Sequence, residues 1–110
     1  MRKEPRPRIQ ILTFDGCPNA EGARELVDRV CGVLGIEAEV ETLVVSDLRA
    51  ARERHFLGSP TIRVNGRDID PHSNGRADYV LSCRVYNTSA GLAGVPDEAW
   101  LRDALSRRTD

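Results

Sequence analysis

Three cysteines, Cys17, Cys31 and Cys83, are the side chains in this chain with the clearest capacity for chemistry. A thiolate is both a nucleophile and a soft-metal ligand, so what surrounds each cysteine decides what it can do. Cys17 lies in the run Phe14-Asp15-Gly16-Cys17-Pro18-Asn19-Ala20, between an apolar stretch and an amphipathic one. Pro18 suits a first helical position, where a missing N–H costs nothing. This makes Cys17 the expected N-cap of a helix, where the dipole and free backbone N–H groups favour a thiolate. Asp15, Glu21 and Glu25 are negative neighbours that oppose it, and Arg24 or Arg84 can offset them. Cys31 falls on the apolar face of the same helix and reads as core packing. Cys83 sits in a long loop-like segment beside Arg84, either near Cys17 or packed beside Val85.

The elements that must position these thiols follow from periodicity. Residues 8–14 read as a strand, and 18–34 as a helix with Leu26, Val27, Val30, Cys31 and Leu34 on its apolar face. Gly35 is the expected left-handed C′ glycine. Residues 36–45 alternate, with Ile36, Ala38 and Val40 on one face and Glu37, Glu39 and Glu41 on the other, as a half-wet strand does. Ser46 is the expected N-cap of a second helix over 47–56. Gly58-Ser59-Pro60 interrupts the pattern before a short strand at 61–64. Asn65-Gly66 is a strong hairpin turn signal, with 67–70 returning. Residues 71–95 form a long segment rich in Gly, Ser and Asn, of the kind that is functional or disordered, with a further short strand around 79–86. Pro96 opens a last helix through 107, with Trp100, Leu101, Ala104 and Leu105 as its apolar stripe. The order is βαβαββα: an α/β fold with a small mixed sheet and helices on both faces.

At 110 residues one domain is expected, residues 8–110 behind a tail at 1–7. A formal net charge of −1 provides no long-range field, so neither nucleic acid nor an anionic membrane is the expected partner. No apolar run reaches membrane-spanning length, and none follows the basic start as a signal peptide would. An odd cysteine count argues against a secreted disulfide framework, and a reducing cytoplasm is the expected setting.

This order, the cysteine after the first strand, and Gly58-Ser59-Pro60-Thr61 before the hairpin resemble the thioredoxin-like superfamily in its glutaredoxin-sized form. The stretch 56–70, with Cys83-Arg84-Val85-Tyr86, is also similar to small bacterial thioredoxin-like proteins, some labelled alkylmercury lyase. The resemblance implies a reactive Cys17 faced by a cis Pro60, with the backbone of Ser59 turned toward an extended peptide or glutathione. Cys17, Cys83 and Pro60 are then the catalytic set, and Pro18, Ser59 and Arg84 the substrate contacts. The chain departs from the family's Cys-x-x-Cys at Ala20, which stands where the resolving thiol belongs. A monothiol oxidoreductase is therefore expected, with Cys83 or an external thiol resolving the mixed disulfide. Its partner is a disulfide-containing protein or a small thiol, and no resident cofactor is implied beyond glutathione or a soft metal ion.

Two other readings stay open. Cys17 and Cys83 can hold a soft metal or an organomercurial, with Asp15 protonating the leaving carbon. Alternatively, the domain is a non-catalytic binding module that has lost a thiol. A Cys17/Cys83/His72 metal set has no supporting ligand spacing. His55 reads as a surface or helix-end residue. Gly91 and Gly94 read as loop glycines, or as an anion cradle before the last helix.

Overall fold

The computed structural model describes residues 6–106, so most of the 1–7 tail and Arg107 lie outside the described residues. The elements are β1 (Arg8–Thr13), α1 (Ala20–Leu34), β2 (Glu39–Val44), α2 (Leu48–Glu53), β3 (Thr61–Val64), β4 (Arg67–Asp68), β5 (Tyr86–Thr88), β6 (Gly91–Ala93) and α3 (Glu98–Ser106). The main sheet runs β2-β1-β3-β4, with β1 parallel to β2 and antiparallel to β3; β5 and β6 form a separate hairpin. The chain is thus mixed α/β, with one hairpin more than the periodicity showed.

Register explains the layers. Ile9 pairs with Val64 and Ile11 with Ile62, so the four side chains share one face. That face packs against Ala23, Leu26, Val27 and Val30 of α1 and Leu101 and Leu105 of α3. Leu12 points the other way and meets Val45, Ala51 and Phe56, which puts α2 on the opposite face. On β2, an edge strand, Val40 is half-buried between the exposed Glu39 and Glu41. Farther along it Leu43 turns to the α2 side, so the alternation holds across both layers.

Gly35 caps α1 in the left-handed region (φ 66°), as expected. Asn65 (φ 50°) and Gly66 (φ 86°) make the hairpin turn that Asn-Gly announces. Three helix starts differ from expectation, one of them that of α3, which begins at Glu98, two residues after Pro96. α1 begins at Ala20 with Asn19 as its N-cap, because residues 15–19 form successive turns instead of entering the helix at once. α2 is capped by Asp47, whose carboxylate accepts the Ala50 N–H at 2.8 Å, and not by Ser46. Its last turn gives way at His55, which adopts φ 54°.

Candidate functional site: the Cys17 turn and the strap over Ser59

Cys17 leaves β1 through a tight turn. Its N–H donates to the Phe14 carbonyl at 3.2 Å, and its own carbonyl accepts the Ala20 N–H at 3.3 Å. The residue is 9 % exposed. Cys17 therefore stands two positions ahead of the N-cap of α1, not at the cap, and Pro18 precedes the helix instead of opening it. Pro18 is exposed beside it, and so is Asp15.

Ser59 connects this turn to the rest of the site. Its hydroxyl accepts the Phe14 N–H at 3.3 Å, holding the 58–60 loop against the end of β1. The Ser59–Pro60 peptide is cis. The backbone of Ser59 is bonded to another segment of the same chain. Its N–H donates to the Ser82 carbonyl at 2.8 Å, and its carbonyl accepts the Arg84 N–H at 2.9 Å. The result is a parallel bridge between Ser59 and Cys83. The expectation that Ser59 offers free backbone groups to a substrate is corrected by this pairing. Residues 82–84 act as a strap across the loop.

Gly58 permits the close approach. With φ 126° it occupies a backbone region that side chains rarely tolerate, and a Cβ there would lie 2.9 Å from Arg84 Cβ. Arg84 fastens the strap. Its guanidinium donates to Asp68 at 2.7 Å, to Asp70 at 3.1 Å and to Thr61 Oγ1 at 3.1 Å, and it lies 4.4 Å from the centroid of the Tyr86 ring. Tyr86 is fully buried, and its hydroxyl donates to the Pro60 carbonyl at 2.5 Å. Burial pushes the Tyr86 hydroxyl far above its ordinary pKa, so it remains a donor. Arg84 is thus a buried anchor and not a substrate contact, because its charge is consumed by two aspartates that burial would otherwise leave unpaired.

The three cysteines are free. Cys83 is exposed at the strap's centre, while Cys31 is half-buried on α1, where burial and then Asp28 push its thiol up. His72 is held by the Asp70 carboxylate at 3.2 Å and meets Trp100 edge-on, so its partners lie outside the cysteine pair. Among the described residues no group of three or more His, Cys, Asp or Glu side chains is arranged to hold a metal ion. The start of α3 is already met by the Asp97 carboxylate, and Gly94 packs against Asn19, so Gly91 and Gly94 do not frame an open anion site. No helix among the described residues is long and apolar enough to cross a membrane.

Sequence reasoning missed Asp68 and Asp70 as strap anchors. The available signal was Arg67-Asp68-Ile69-Asp70, whose alternation puts both carboxylates on one side of the returning strand. It also missed a groove of about 600 Å³ lined by Phe14, Asp15, Val44, Val45, Ser46 and Leu81. Compared with family models, with curated proteins and with solved structures, the chain matches none.

Proposed function

We propose that this protein is a thiol–disulfide oxidoreductase of thioredoxin-like design in which Cys17 is the nucleophile and Cys83 the resolving thiol. The observation that carries the reading is the convergence at Ser59. Its hydroxyl holds the Phe14 end of the Cys17 turn, and its backbone holds both neighbours of Cys83. The sheet order β2-β1-β3-β4, with a cysteine turn after β1 and Ser59-Pro60 just before β3, supports the same design. Ala20 supplies no second thiol within the turn, so Cys83 on the strap takes that place.

In the reaction the Cys17 thiolate attacks one sulfur of a disulfide, forms a mixed disulfide and releases the other half as a thiolate. The Cys83 thiolate then attacks Cys17 sulfur, closes an intramolecular disulfide and releases the second half. An external low-molecular-weight dithiol restores the two protein thiols. The test is a pair of variants assayed for disulfide reduction in the presence of such a dithiol. Cys17→Ser abolishes turnover, and Cys83→Ser, mixed with the disulfide before any dithiol is added, accumulates a mixed disulfide at Cys17 visible by intact mass. Full turnover by Cys17→Ser overturns the reading.

The soft-metal reading rests on the same two thiols. With no third donor arranged beside them among the described residues, it takes the form of a two-coordinate ion such as Hg(II) or Cu(I). Stoichiometric, proton-releasing binding of Hg(II) by the reduced protein, lost in either cysteine variant, favours it; disulfide turnover without such binding removes it.

A further inference from the structure

We propose that the Cys17 site acts on small, apolar-bodied disulfides and excludes extended polypeptide segments, because the chain's own strap occupies the position where a peptide backbone would pair. The inference rests on Cys17 being the reactive thiol and concerns which substrates reach it.

A bound extended peptide gains register and affinity by exchanging backbone hydrogen bonds with an open strand edge. Ser59 is the residue beside the Cys17 turn that could offer this exchange, and both of its backbone groups are already bonded to Ser82 and Arg84. No space remains under the strap, since Arg84 Cα would lie 3.2 Å from a Cβ placed on Gly58. A peptide would have to displace the strap. Displacement would pull the Arg84 side chain, 1 % exposed, away from Asp68 and Asp70 and would break the Tyr86–Pro60 hydrogen bond. Two new backbone bonds return less than the loss of a buried charge network.

An open groove ends two residues short of Cys17, whose own side chain is not among its lining residues. The groove of about 600 Å³ runs along Phe14 and Asp15, the residues that lead into the Gly16–Cys17 turn, with Val44, Val45 and Leu81 as apolar walls. Its size suits a small molecule. Among the described residues Asp15 is its one charged wall residue, so an uncharged or cationic ligand with an apolar body fits and a polyanionic one is opposed. The first step is then Cys17 thiolate attack on one sulfur of such a disulfide. One S–S bond forms, one breaks, and the departing thiolate takes a proton from solvent.

The test uses the full chain carrying Cys31→Ser and Cys83→Ser, which leaves Cys17 as the single thiol and keeps the backbone of the strap. Rates of mixed-disulfide formation are measured with 2,2′-dithiodipyridine and with insulin. Both are divided by the rates of a free thiol, N-acetylcysteine, toward the same reagents. The normalised preference for the small disulfide is expected to be at least tenfold. Val44→Lys, at a groove wall 59 % exposed and so tolerant of change, is expected to lower the small-disulfide rate at least fivefold. A normalised preference near one, or one favouring insulin, overturns the inference while leaving Cys17 as the nucleophile. So does a Val44→Lys variant with an unchanged rate. No reaction of Cys17 with either reagent instead overturns the oxidoreductase reading.

Discussion

Replacing Arg84 by Met tests whether the strap is fastened by a buried charge network. The side chain is 1 % exposed, and its partners Asp70 and Asp68 are 5 % and 14 % exposed. Met keeps most of the aliphatic length over Tyr86 but removes every guanidinium donor. Thr61 Oγ1 keeps its own bond to the Gly58 carbonyl at 2.6 Å, so the two carboxylates bear the loss. Removing one partner of a buried ion pair costs about 3–5 kcal/mol, because a desolvated charge is left behind. Against a total stability of about 5–15 kcal/mol for a domain, that is a large share. The thermal midpoint should fall by about 12 °C or more. The assay is urea unfolding followed by the single tryptophan, Trp100, whose ring lies 6.1 Å from that of Tyr86 and so reports on this region. Adding Asp68→Asn and Asp70→Asn to Arg84→Met removes the stranded charges, and roughly half the loss or more should return, since a neutral set replaces the ionic one. A loss below about 1 kcal/mol for Arg84→Met, the range of solvent-exposed pairs, refutes the reasoning. So does a triple variant no more stable than the single one.

Other outcomes follow from the same geometry. Tyr86→Phe leaves the Pro60 carbonyl without its donor inside the core and should cost about 1–3 kcal/mol in urea unfolding; a neutral substitution contradicts the assigned bond. Asp97 accepts from the Ser89 N–H at 2.9 Å, the Ser89 hydroxyl at 2.7 Å and the Ala99 N–H at 3.0 Å, which hold its carboxyl below the ordinary carboxylate range. Its folded value is thus depressed, so its stabilisation is complete above the unfolded value of about 3.9 and is lost as pH falls through the folded value. A carboxyl-carbon NMR titration should place its midpoint below that value and Ser89→Ala should raise it, whereas a midpoint at or above 3.9 contradicts the bonding. Cys31, with its thiol pushed up first by burial and then by Asp28, should alkylate with an inflection above the ordinary 8.5 or so in a Cys17→Ser, Cys83→Ser chain. An inflection at or below that value contradicts the half-buried placement.

What could be read from the sequence, and what could not, divides at contacts between distant segments. β1, α1, the Asn65–Gly66 turn and α3 announce themselves because each is set by local period or turn chemistry. The turn at Cys17 was legible between β1 and α1, but the helix start was shifted by two residues, because Asp15, Gly16, Pro18 and Asn19 all favour turns and jointly delay the helix. The strap was illegible for a different reason. Ser82, Cys83 and Arg84 make one bridge with Ser59 and have no periodic pattern of their own. Their position is fixed by Gly58, by Asp68 and Asp70 on the hairpin, and by Tyr86, all remote in sequence from one another. Arg84, read as a residue available to a substrate, is buried because two aspartates make that burial tolerable. A single arginine in a loop carries no local sign of that pairing. The same strap that buries Arg84 holds Cys83 beside Ser59. The residue that sequence reasoning misplaced is therefore the one that fixes the backbone on either side of Cys83, the placement on which the proposed role of that thiol rests.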